Sequence, residues 1–416
     1  MRPWFQPFIY YKIINFFKII YFDNPFIWTT LLRIISSAIG YLSILYLFFV
    51  FKDFFFKKYK IFNYLLFFTF WFYPFLHSRI SSENLSISLF IISFCALFQI
   101  LVIQKKKFNL IIFCVSSFLM GLSMVVKFTT VFTAFPFFLW LVFFRFNFFR
   151  ILIFGIFILA ALSLGLFIDY INWGTFKNTY YQFYIHNLSS GVIGRMKYFG
   201  VDPWYYYFFE IVKQLAPLLS LFFLIGLIFF WIKNIKHVLT WITLVTFIIF
   251  SLIGHKEIRY IFPIYIFAPF FISYLIDHIK FKTLRILIQY VVIFSNIVFL
   301  SLTLFFPANS KVGVYNFLYK KYDGKTPIYY TDENPYQVNN MEPFFYTKFL
   351  PKIEKFNNYE ANSNKFIIIT KSNEFSNEIK YDCTIIYSTY PIKIINLNNN
   401  WKRLKLNWKV YKCSGN

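Results

Sequence analysis

Acidic residues are scarce: 17 Asp and Glu stand against 42 Lys and Arg in 416 residues. Those acids do not cluster as a divalent site would, and the five histidines are scattered without ligand spacing, so the sequence offers no metal motif. Glycine is also sparse, at 13 residues, and nowhere gathers into a loop that cradles phosphates. This excludes the usual nucleotide-binding turns. Residues 1–28, which include RPWFQPFIYYKIINFFKIIYFDN, lack the small-residue cleavage site of a removable leader. The stretch reads instead as an amphipathic segment lying in a membrane interface.

What the chain has in excess is apolar surface. Hydrophobic residues make up 59% and aromatic residues 25%, more than the interior of a water-soluble fold of this length can hide. The fold expected is an α-helical polytopic membrane protein. Hydropathy predicts about ten spans, near 29–51, 61–76, 84–103, 108–126, 129–144, 151–168, 212–232, 238–253, 259–277 and 284–306. The net charge of +25 falls in short clusters between these runs, which is a topology signal and argues against nucleic acid as a partner.

Alternate connections differ in kind. KDFFFKKYK at 52–60, QKKK at 104–107, FRFNFFR at 144–150, KNIKH at 233–237 and DHIKFKTLR at 277–285 are brief and basic, and by the positive-inside rule face the cytoplasm. HSRISSEN at 77–84, the KFTT corner at 127–130, the long 169–211 segment, GHKEIRY at 254–260 and everything after Pro307 then face the periplasm or an organelle lumen. Ten spans with the tail outside place Met1 outside as well. The count therefore predicts a further span and outer loop ahead of Met1.

Beyond Pro307 the composition turns to Asn, Lys and Tyr, with strand-like runs PIYYT, KFIIIT, YDCTIIYS and WKVYKC between Asn-rich turns. A small soluble α/β module over 307–416 is expected. Cys383 and Cys413 fall on the oxidising side and can staple it, the alternative being two free thiols; Cys95 and Cys114 sit inside spans as packing residues.

The most informative stretch is GHKEIRYIFP at 254–263, which sets His255, Lys256, Glu257 and Arg259 between two apolar runs. If it opens the next helix, His255, Lys256 and Arg259 share one face and Glu257 points elsewhere. Three such groups at a membrane boundary form a receptor for a phosphate carried on a lipid. Helix-end anchoring by snorkelling Lys and Arg is the plain alternative, and it explains neither the histidine nor the glutamate. Lys127 lies between two apolar runs, where exposure to lipid costs roughly 2.5–3.5 kcal/mol, so it is expected in a cavity or at the outer interface, beside the same phosphate. His77, Arg79 and Glu83 stand at a span's outer end, where capping and a site role are both open.

His255-Lys256-Glu257-Ile258-Arg259-Tyr260 followed by Pro263 resembles the HKExRF signature of glycosyltransferase family 22, the membrane mannosyltransferases of GPI-anchor and N-glycan assembly. Asp169-Tyr170, Trp173-Gly174, Tyr184, Asn187 and the run Gly200-Val201-Asp202-Pro203-Trp204-Tyr205-Tyr206-Tyr207-Phe208 are similar to that family's long outer loop, most nearly in its GPI mannosyltransferase III branch and bacterial relatives. Arg79-Ile80-Ser81-Ser82-Glu83-Asn84 resembles a further segment, and Arg2 to Pro7 resembles the piece that follows the family's first outer loop.

The resemblance implies a GT-C fold and inverting transfer of a sugar, mannose in this family, from a polyprenyl- or dolichyl-phosphate donor to a lipid-linked or glycan acceptor. It implies no cofactor, an active site and tail on the non-cytoplasmic face, and a bacterial inner membrane or an endoplasmic reticulum as location. His255, Lys256, Arg259 and Lys127 are then expected at the donor phosphate. Arg79, Glu83, Asp169, Asn187, Asp202, Trp204, Tyr205, Tyr206 and Glu257 are expected at the substrates, the aromatic residues suiting sugar stacking. The family's catalytic acid lies in an H-x-D-E-type loop that no residue here matches; it is expected upstream, with Asp202 a substitute base. Asp202 and Tyr205 also replace histidines of the family's run. The alternatives are another GT-C transferase acting on lipid A, teichoic acid or protein, or a transporter of polyprenyl-linked sugars. A transporter would show repeated halves or Gly/Pro-broken helices, and neither is read from the sequence.

Overall fold

A computed structural model describes residues 3–19, 24–103, 109–187, 200–305, 309–337, 347–349, 353–356, 365–371, 381–390 and 407–414. The basic QKKK cluster lies outside the described residues. Two compact units emerge, one of residues 1–21 and 30–305, the other of residues 22–29 and 306–416.

The first unit is helical. It runs α1 (Phe5–Ile19), α2 (Pro25–Phe55), α3 (Lys60–Phe68), α4 (Phe72–His77), α5 (Ser82–Ile103), α6 (Leu110–Val126), α7 (Phe128–Phe144), α8 (Phe148–Trp173), α9 (Thr179–Asn187), α10 (Tyr206–Gln214), α11 (Pro217–Lys233), α12 (Val238–Leu252), α13 (Ile258–Tyr265), α14 (Ala268–His278) and α15 (Lys282–Phe305). Of α2 this unit holds residues 30–55. Starts and stops follow local chemistry. Ser81, Asn109 and Asn147 each accept an N–H of the first helical turn, at 3.2, 3.1 and 3.0 Å, and Gly174 ends α8 at φ 67°.

Among the described residues, helices α2, α5, α8 and α15 are long and apolar enough to cross a bilayer, and α13 with α14 are so together, as a pair bent by 59°. Other expected spans fall on apolar helices of 10–17 residues. Where backbones approach closely the sequence supplies glycine: a Cβ on Gly226 of α11 would lie 2.4 Å from the Phe271 carbonyl oxygen of α14, and one on Gly121 of α6 would lie 2.6 Å from Ala161 Cβ of α8.

Two expectations need correction. The run 61–76 is not one helix: it breaks between α3 and α4, and Asn296 of α15 fills the gap. Its Oδ1 accepts the Trp71 N–H at 3.0 Å and its Nδ2 donates to the Thr69 carbonyl at 2.9 Å. A break in apolar surroundings persists because a buried amide replaces the lost backbone partners. Broken helices, which the sequence did not reveal, are thus present here and at the α13–α14 bend, where Pro269 occupies the first turn of α14.

The second unit carries α16 (Lys311–Lys321) and five strands, β1 (Ile328–Tyr330), β2 (Ile353–Lys355), β3 (Lys365–Thr370), β4 (Asp382–Ser388) and β5 (Lys409–Ser414). The sheet order is β2-β1-β3-β5-β4, with β1 parallel to β2 and β3 and β5 antiparallel to β3 and β4. Val314, Tyr315 and Leu318 of α16 pack on Ile328, Ile367, Ile369 and Val410. Cys383 and Cys413 face each other across β4 and β5 and are joined as a disulfide. The strand missed in the sequence is β2, three residues with no alternation to reveal it.

Candidate functional site

The connections expected on opposite sides of the membrane gather at different ends of the helical unit. At one end Lys58 reaches the Asp277 carbonyl, the Phe54 and His237 rings lie 4.7 Å apart, and Trp140 donates to the Lys236 carbonyl at 3.0 Å. Four of the basic connections, or the residues beside them, meet there.

At the other end lies a chain of opposite charges. Lys127, just past the end of α6, is ion-paired with Glu83 in the first turn of α5. Glu83 Oε1 also lies 3.6 Å from Arg259 Nη1. Arg259 forks onto Glu257, with Nη2 donating to Oε1 at 2.9 Å and Nε paired with Oε2. His255 Nε2 lies 3.5 Å from the same Glu257 Oε1. Lys127 and Glu83 are the more buried members, with side chains 17% and 15% exposed, while Arg259 is 47% exposed. Burial pushes the Lys127 ammonium below the ordinary lysine range, against the pull of the Glu83 carboxylate.

This geometry overturns the helical reading of GHKEIRY. Residues 254–257 are not helical, Glu257 is extended at φ −129°, and a 3-10 turn begins only at Ile258. Glu257 sits between His255 and Arg259, in contact with both, instead of turning away. Lys256 points inward and is 4% exposed. Its ammonium donates to the carbonyls of Asp202 at 2.8 Å and Ile253 at 2.6 Å, and its N–H donates to Asp202 Oδ2 at 3.1 Å. Asp202 N–H returns a bond to the Gly254 carbonyl at 3.0 Å. Lys256 thus sews the 200–205 loop to the 253–259 loop, and burial pushes its ammonium down while Asp202 opposes the shift.

That seam carries the aromatic run. Trp204 and Tyr205 are 65% and 45% exposed, Tyr206 is half-buried, and Tyr207 turns into the core. Arg79 lies over the Phe75 ring, 3.8 Å from its centroid. His77 is buried, its Nδ1 2.7 Å from Asn84 Oδ1, and Asn84 Nδ2 donates to the carbonyls of His77 and Arg79. This amide fixes the corner that bears Glu83.

Asp169 stands apart from the cluster's contacts. It is 1% exposed, accepts the Trp4 N–H at 2.7 Å and the Thr179 hydroxyl at 2.6 Å, and so ties the chain ahead of α1 and the start of α9 to α8. Trp4 and Trp173 meet edge to face beside it at 5.8 Å. Asn187 closes α9, and its side chain lies outside the described residues.

The fold matches solved structures of ArnT from Cupriavidus metallidurans. The form bound to undecaprenyl phosphate gives a TM-score of 0.54 at 9% identity, covering 99% of this chain and 87% of that one. The apo form gives 0.51 at 10% identity, covering 91% and 83%. The fold is therefore of the GT-C type, as the sequence predicts, and the molecule is an integral membrane protein. The chain belongs to the Alg9-like mannosyltransferase family, whose model matches residues 1–343. It is similar to GPI alpha-1,2-mannosyltransferase 3 of Mus musculus, 29% identical over 118 residues, or 28% of this chain and 21% of that protein. It is also similar to GPI mannosyltransferase 3 of Debaryomyces hansenii, 32% identical over 142 residues, or 33% and 24%. The matched segment spans about a fifth to a quarter of these curated relatives.

Proposed function

We propose that this protein is a membrane mannosyltransferase that moves a sugar, with inversion, from a polyprenyl- or dolichyl-phosphate donor to a lipid-linked or glycan acceptor on the non-cytoplasmic face. The observation that carries the reading is the convergence of Lys127 and Arg259 on Glu83 at a helix-bundle end that also bears His255. Family membership and the undecaprenyl phosphate held by an ArnT of the same fold support it.

The chemistry assigns tasks. A lipid phosphate leaving group gains charge as the bond to the sugar C1 breaks, and preorganised cations lower that barrier. Lys127 and Arg259 take this role, with His255 beside Glu257. Trp204, Tyr205 and Tyr206 offer flat apolar faces to a sugar ring. The acceptor hydroxyl must lose its proton to a carboxylate. Both oxygens of Glu83, Asp169, Glu210 and Glu257 are engaged, whereas Asp202 Oδ1 accepts no hydrogen bond among the described residues. Asp202, held in place by Lys256, is the substitute base that these residues offer. Domain layout follows the same reading: an interfacial segment over 1–28, spans over 29–306 and an extracytoplasmic module over 307–416.

The test is transfer by purified protein in lipid discs, comparing a short-chain polyprenyl-phosphate mannose with a nucleotide-activated mannose. Transfer from the lipid phosphate alone supports the proposal. Transfer from the nucleotide sugar alone refutes it.

A further inference from the structure

Two cations and two carboxylates share the cluster, Lys127 and Arg259 against Glu83 and Glu257. Glu83 Oε1 touches both cations at once, and its side chain is 15% exposed. A receptor built only to capture an anion would leave its cations to water. Here internal anions already occupy them, and an incoming phosphate must displace at least one.

Charge accounting across the reaction, which rests on the donor proposed above, gives those carboxylates a task. The donor is a phosphodiester with one negative charge. As the C1–O bond to phosphate breaks, its electron pair stays on the phosphate oxygen, the acceptor oxygen bonds to C1, and the acceptor proton passes to the base. The departing lipid is now a phosphate monoester, whose second ionisation lies near pH 6, so at neutral pH it carries most of a second charge. A bare pair of cations then grips product more tightly than donor, and turnover stalls on release.

We propose that Glu83, with Glu257 beside it, acts as a product-release residue. It competes with phosphate for Lys127 and Arg259, yields them to the donor, and reclaims them as the lipid monophosphate leaves. Freeing the cations from the carboxylate costs the same for either ligand; the discrimination comes from the carboxylate charge that stays beside the site, which repels the dianionic product about twice as strongly as the monoanionic donor. Glu83 is thereby a selectivity element between monoester and diester, a role that merely holding two side chains in place would not produce.

The test uses the full chain in lipid discs and two probes, undecaprenyl monophosphate and its methyl diester. In Glu83→Gln the monophosphate is expected to bind about tenfold more tightly, at the low end of what close charge pairs contribute, while the diester changes by less than about threefold. Glu257→Gln, at a more exposed site, shifts the same ratio in the same direction by less. Turnover of Glu83→Gln becomes more sensitive to added monophosphate. If either variant weakens both ligands equally, the carboxylates only position the cations and the inference falls, although the phosphate site stands provided Arg259→Ala abolishes binding. If the wild-type protein binds neither probe and Arg259→Ala changes nothing, the proposed function falls as well.

Discussion

Arg259 and Glu83, far apart in the chain, meet at 3.6 Å, and through that contact the start of α13 is tied to the first turn of α5. Lys127 reaches the same carboxylate oxygen from the end of α6. Three connections that the sequence places on one side of the membrane therefore converge on one carboxylate. Salt bridges at exposed surfaces contribute little, but a partly buried network at a membrane boundary is costly unless it has a use.

Lys127 gives a pH signature. Burial lowers its pKa, so the charged form required for phosphate is complete below that lowered value and is lost as pH rises through it. The kcat/KM profile is expected to fall on an alkaline limb below the range of an exposed lysine. Lys127→Arg, whose guanidinium stays charged, moves the limb out of reach. An unchanged limb in that variant would assign the titration to another group.

Asp169 is expected to matter for stability and not for substrate affinity. Removing its carboxylate strands the Trp4 N–H and the Thr179 hydroxyl, so Asp169→Ala should cost about 1–3 kcal/mol. A lowered thermal midpoint with unchanged donor KM in the folded fraction checks this. A raised KM at unchanged midpoint would return Asp169 to the substrate.

Orientation is testable at the aromatic run. Trp204 is 65% exposed, so a cysteine there, expressed in a bacterial inner membrane, should react with an impermeant maleimide in intact cells. Labelling that appears only once the cytoplasm is opened reverses the assignment of sides.

Much of this arrangement was legible in the sequence, and what was hidden has physical causes. Charged residues in an apolar chain of skewed composition stand out, so Glu83, Lys127, His255, Glu257 and Arg259 are all visible as candidates. Their pairing is not, because it depends on whether residues 254–257 are helical or extended, and a short Gly-led segment carries no periodicity to decide that. Lys256 reads as one more cation of the cluster, yet it faces inward, since two backbone carbonyls and the Asp202 side chain offer it better partners than water does. Asp169 reads as a site residue from its motif, while its partners Trp4 and Thr179 are remote or unremarkable in sequence. The α3–α4 break is invisible for the same reason: the amide that stabilises it comes from Asn296. Local chemistry marks capped ends and apolar faces, and contacts made across the fold decide the rest.

The most direct measurement is mannose transfer from a polyprenyl-phosphate donor by Arg259→Ala, with insertion verified on the same sample. If Lys127 and Arg259 hold the leaving phosphate, turnover falls by about a hundredfold or more, the scale of losing one preorganised charge donor, and Arg259→Lys recovers little because it cannot fork onto Glu257. A correctly inserted Arg259→Ala protein that transfers at the wild-type rate would contradict the account.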